Sequence, residues 1–143
     1  MKNSLLYKTI LLFAIIAGII CVHKYKAERV TIDSDKPTIK IGVIFPLSGD
    51  SAIYGESAQA AAEVFMDELS KIDTKYNYEI IFEDNRQKLS ETVNIAKKFI
   101  TYDKVDVLIT FLANFGMAVA PVAQEYKTPH FSVASVDPNI ARG

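Results

Sequence analysis

Hydrophobic positions along this chain follow two regimes. From Thr9 to Val22 they run on with no charged residue between them. From Ile39 onward they come in short β-branched and aromatic bursts, separated by longer stretches in which apolar residues recur every three or four positions. The first burst, Ile39–Phe45, breaks at Pro46 and gives way to a small, polar, glycine-containing loop, Leu47–Tyr54, and then to alanine-rich sequence. A short apolar run, turn residues and then a helical period is the opening of a βαβ unit. The pattern predicts strands over Ile39–Phe45, Tyr78–Glu83, Val105–Phe111 and His130–Ala134, and helices over Tyr54–Ile72, Glu91–Tyr102 and Gly116–Tyr126. Ala58, Ala61, Ala62, Phe65, Met66 and Leu69 form a stripe on the first helix that is expected to be buried. Ser90 is the expected N-cap of the second helix, with Val93, Ala96, Phe99 and Ile100 as its apolar face. Pro121 falls inside the third helix and predicts an irregular or late first turn.

Strands alternating with helices specify the α/β class: a flavodoxin-like parallel sheet with helices on both faces. The strand order expected is 2-1-3-4, with right-handed crossovers. In that order the chain reverses direction between strands one and three, and ligands bind in the crevice at such a point. Here the crevice is lined by the loops Leu47–Tyr54, Leu112–Gly116 and Ser135–Asn139. Two helices begin beside it, and helix N-termini favour anions. The expected ligand is therefore a small molecule with a carboxylate or a similar group.

The uncharged run assigns residues 1–23 to a signal peptide or membrane anchor, with Lys2 and Lys8 supplying the basic start. No A-x-A cleavage site precedes its end, and bulky Ile20 stands before Cys21, against a lipoprotein signal. This hydrophobic helix is expected to hold the protein at the membrane. Residues 24–37 are polar and read as a linker, and 38–143 as the domain. The net charge of −1, with no basic cluster, gives no case for nucleic acid. With a single Cys, no intramolecular disulfide and no cysteine metal site can form. His130 has no second ligand near it in sequence, so no metal is expected. Gly49 and Gly55 are too widely spaced for a phosphate loop, no Lys follows them, and no G-x-G-x-x-G follows strand one. No cofactor is expected, and no catalytic triad or nucleophile elbow is present.

At the crevice loops stand IKIGVIFPLSGDSAIYGES, the FEDNRQ end of strand two, and VAPVAQEYKTPHFSVASVDPNIARG. In these residues the chain resembles the branched-chain amino-acid (leucine)-binding family of ABC importers, the type I periplasmic solute-binding proteins. The resemblance covers about Ile39 to Gly143 and implies two lobes closing on an amino acid or similar solute, presented to an ABC permease. It also implies that the chain stops within the first lobe. Tyr54 stands at the family's ligand-contacting tyrosine. Ala113 stands where the family often has a carboxylate-binding serine, and Val136 where it often has a threonine. The expected ligand-binding set is Ser48, Tyr54, Ala113, Asn114, Ala134, Ser135 and Val136. Ser48 and Ser51 are candidate donors to a ligand, the alternative being that they cap their own turn. Glu83 and Asp84 read either as a ribose-binding acid pair or, by preference, as a solvated strand end. Three functions compete: a solute-binding module, a nucleotide or flavin enzyme on the same fold, and a membrane-anchored sensing or interaction domain that has lost amino-acid binding.

Overall fold

The computed structural model describes residues 33–72 and 74–137. The expected signal or anchor (1–23), most of the linker and the last six residues lie outside them.

Four strands, β1 (Thr38–Phe45), β2 (Asn77–Asp84), β3 (Val107–Phe111) and β4 (His130–Val133), form one sheet in the order β2-β1-β3-β4. Every pairing is parallel: Ile44 lies opposite Glu83 on one side and Thr110 on the other, and Phe111 lies opposite Val133. The helices are α1 (Ala52–Ser70), α2 (Leu89–Lys98) and α3 (Ala113–Glu125). The parallel α/β sheet with the expected strand order is therefore present.

Side chains alternate across β1, and each parity serves one face. Ile44 and Leu108 pack with Ile95 and Ala96 of α2, Phe99 just after it, and Val119 and Ala123 of α3 in a closed core. Gly42 lies on this parity because a Cβ there would stand 2.5 Å from Phe99 Cδ2. Val43 and Phe45 point the other way and cluster with Phe111, flanked by Ala58 of α1. This second face is not closed. Between α1 and the sheet lies a cavity of about 430 Å³ lined by Ile41, Val43, Phe45, Ala58, Ala62 and Phe65, among others. The stripe on α1 looks onto the cavity instead of being buried: Phe65 is 49% exposed, and Gly55 is the buried residue of the helix.

Most boundaries lie within two residues of the sequence pattern; those of α2 and α3 differ in ways that bear on the site. α2 starts at Leu89, with Lys88 as the N-cap and no side-chain cap, so Ser90 does not cap it. The buried Asn85 amide donates to Thr92 Oγ1 (3.1 Å), and Thr92 N–H donates to the Lys88 carbonyl, which fixes the start two residues earlier. Ile95, not Val93, then faces the core. Phe99–Asp103 widen into a π-helical turn that closes at left-handed Lys104 (φ 57°). α3 begins at Ala113, not at or after Gly116, and carries Pro121 within it. The proline sits deep enough that only the bond to the Met117 carbonyl is lost and the first turn stays regular.

Candidate functional site

The C-terminal ends of β1, β3 and β4 lie side by side, and the chain leaves β3 and β4 through sharp turns. Leu112 (φ 70°, ψ 152°) and Ala134 (φ 54°) hold backbone conformations that L side chains rarely adopt. Leu112 N–H donates to the Val133 carbonyl (2.9 Å), and the Ser132 hydroxyl donates to the Leu112 carbonyl (3.2 Å). The strained residue is thereby clamped from the neighbouring strand, and α3 starts immediately after it. The first helical bond runs from Gly116 N–H to the Leu112 carbonyl (3.0 Å). The amides of Ala113, Asn114 and Phe115 precede that bond, and no side-chain cap covers them. They form a positive helix end at the sheet crest.

Ser135 follows β4 at the same crest. Its Oγ is buried and has no hydrogen-bond partner among the described residues. Buried polar atoms are normally paired, which sets the Ser135 hydroxyl apart at the crest. Asn114, Ala134 and Val136 are exposed, Val136 at 98%, and Ala113 is half-buried. Ala113, Asn114, Ala134 and Ser135 are thus brought to one edge.

Tyr54 joins them from α1. Its ring centroid lies 5.0 Å from that of Phe111, which in turn stacks on Phe45 at 5.1 Å. Tyr54 is the outer member of this ladder and is 53% exposed, so it offers a ring to solvent at the crest. Gly55 beside it permits the approach of α1 to the β1 loop. A Cβ there would stand 2.3 Å from the Pro46 carbonyl oxygen.

Ser48 is placed differently. Its hydroxyl donates to Asp84 Oδ2 on the β2 side, so its proton is committed and it can only accept elsewhere. Asp84 Oδ1 also accepts from the amides of Leu47 (2.9 Å) and Arg86 (2.8 Å). Burial pushes the Asp84 carboxyl up, but the Ser48 hydroxyl, the two amides and the Arg86 charge outweigh it and hold it below its ordinary value. Asp84 closes β2 and is bonded across 36 residues to Ser48, a contact that the sequence pattern does not contain. Its neighbour Glu83 pairs with Lys98. Asp84 and Phe111 were missing from the expected site. An acid closing an apolar strand opposite a polar loop was the available signal for the first. Among the described residues no cluster of three His, Cys, Asp or Glu could hold a metal ion.

Comparisons with known proteins agree with this geometry. Residues 38–142 match the model of the periplasmic binding protein family. Among solved structures, an ABC-transporter solute-binding protein of Rhodopseudomonas palustris BisB5, in complex with 3,4-dihydroxybenzoic acid, is 25% identical with a TM-score of 0.67. The match covers 73% of this chain and 29% of that one. The leucine-binding protein LivK of Thermotoga maritima MSB8 is 28% identical over 73% of this chain and 30% of its own, with a TM-score of 0.65. The branched-chain amino-acid binding protein LivJ of Streptococcus pneumoniae, in complex with isoleucine, is 25% identical over 74% and 31%, with a TM-score of 0.67. No curated protein sequence matches the chain. The chain spans less than a third of the length of these structures. With the parallel sheet, the crest and the family match over most of its length, this chain belongs to the periplasmic binding proteins, the solute-binding family that includes the leucine and branched-chain amino-acid binders of ABC transporters.

Proposed function

We propose that this chain contributes one wall of a ligand cleft for a small carboxylate, an amino acid or an aromatic acid, captured outside the cytoplasm for an ABC permease. The observation that carries the reading is the buried Ser135 hydroxyl, unpartnered among the described residues, at the same crest as the uncapped start of α3. In this reading the ligand's carboxylate takes the amides of Ala113, Asn114 and Phe115 together with Ser135 Oγ, and its body lies against Tyr54. The structural relatives holding isoleucine and 3,4-dihydroxybenzoic acid support a ligand of this class. The relatives described above are solute-binding proteins, which supports a binding role rather than an enzymatic one. Saturation-transfer NMR of the chain with leucine, isoleucine and 3,4-dihydroxybenzoate tests it. Transfer to at least one, abolished by excess of the same ligand's competitor, is expected. No transfer to any of them at millimolar concentration refutes it.

A second reading is an interaction domain of the same fold. The apolar side chains of Ala113 and fully exposed Val136 at the crest favour it. Both readings place the domain on the outer side of the membrane. Among the described residues no helix is long and apolar enough to cross a membrane, and the run Thr9–Val22 lies outside them. We further propose that this uncharged run exports the chain and keeps it at the membrane. Intact mass of protein from the membrane fraction should include residue 1, and a soluble product starting near residue 25 refutes retention.

A further inference from the structure

We propose that Asp84 is a positioning residue: from the end of β2 it pins the loop after β1, and through that loop sets where the first turn of α1 presents Tyr54. The purpose assigned to it rests on the function proposed above, while the pinning stands on geometry alone.

Both carboxylate oxygens are engaged. Oδ1 accepts from Leu47 and Arg86 N–H, and Oδ2 accepts from the Ser48 hydroxyl. Two of these donors lie 36 and 37 residues away in sequence, so the contact ties two loops together rather than capping its own turn. The pin matters because α1 has little else to hold its start. Its one buried residue is Gly55, which touches the same loop, and Ala58, Ala61, Ala62 and Phe65 further along stand over the cavity. Tyr54 meets Phe111, but an aromatic contact at 5.0 Å leaves the ring free to slide when the backbone below it moves. Charge-assisted bonds to a carboxylate are the strongest contacts in this region, so they decide where the loop rests.

Hydrogen exchange of the full chain, read by mass spectrometry, tests this. In Asp84→Ala the amides of Leu47–Tyr54 should exchange at least about tenfold faster, because two long-range bonds to a charged acceptor are lost. Exchange in β1, α2 and α3 should be unchanged. Asp84→Asn keeps an oxygen for the Leu47 and Arg86 amides and should restore most of the protection. Ser48→Ala removes one donor and should give a smaller acceleration in the same segment, which keeps the test readable if Asp84→Ala does not fold. The Tyr54 ring signals should also move in Asp84→Ala while those of Phe99, in the core on the other face of the sheet, stay, a change that a general loss of stability does not produce. Unchanged exchange over Leu47–Tyr54 in both the Ala and Ser48 variants, or equal acceleration everywhere, overturns the proposal. Failure of the wild-type chain to bind any carboxylate removes the ligand site and leaves this exchange pattern standing.

Discussion

Gly55→Ala reverses an ordinary sign. Inside a helix this substitution usually stabilises by about 0.5–1 kcal/mol, because Gly loses more conformational freedom on folding. At position 55 the added Cβ would stand 2.3 Å from the Pro46 carbonyl oxygen, 3.0 Å from its carbon and 2.6 Å from Leu47 Cδ2. The Leu47 methyl can rotate away, but the Pro46 backbone follows directly on buried β1 and cannot. Overpacking of this kind costs about 1–3 kcal/mol, so the net effect is destabilisation on the order of 1–2 kcal/mol. Urea unfolding followed by circular dichroism reads it, with Ser57→Ala on the exposed side of the same helix as the propensity control. The clash also lifts Tyr54 from Phe111, so the Tyr54 ring signals should shift. A Gly55→Ala protein as stable as wild type or more stable, with unshifted Tyr54 signals, would refute the close approach of α1 to the Pro46 loop.

Other outcomes follow from the crest and the core. Leu112→Gly should stabilise by about 1 kcal/mol, since relief of a positive-φ strain of about 1–3 kcal/mol exceeds the entropy cost of Gly; Leu112→Ala should not, and thermal melting separates them. Burial pushes the His130 imidazole below its ordinary value, and its Nε2 is 2.8 Å from Thr110 Oγ1. Its folded pKa is the lower one, so its contribution is present above the unfolded value of about 6.5 and is lost as pH falls through the folded value. The urea midpoint should therefore drop between pH 7.5 and 5.5, and His130→Gln should flatten that drop. Adding hydroxyls with Ala113→Ser and Val136→Thr should strengthen carboxylate binding. Each bond to a charged group contributes on the order of 1.5–3 kcal/mol, so calorimetry should show more than a tenfold change for the pair.

Much of the fold was legible because parallel strands buried on both faces read as apolar bursts, as Val107–Phe111 and Ile41–Phe45 do. The sheet order followed from connectivity rules, and the crest followed from the order. What escaped the sequence was non-local or conformational. The start of α3 was placed late because nothing in the letters of Leu112 says that a leucine takes φ 70°. Only the clamp from Ser132 and Val133 makes that conformation tenable. The bonds that Asp84 accepts from Leu47 and Ser48 are not legible because these partners lie 37 and 36 residues upstream, beyond any local pattern. The alanine stripe of α1 has helical spacing, but spacing cannot tell a closed core from a helix standing over an open apolar face.

The central claim is that a carboxylate ligand is met at the ends of β1, β3 and β4. Backbone amide shifts of the chain, followed residue by residue while isoleucine or 3,4-dihydroxybenzoate is added to millimolar concentration, test it most directly. The account expects shifts concentrated at Tyr54, Ala113–Phe115 and Ala134–Val136, with Ser135→Ala weakening them. Shifts concentrated instead along Ala58, Ala62 and Phe65 beside the apolar cavity, or none at all, would contradict it.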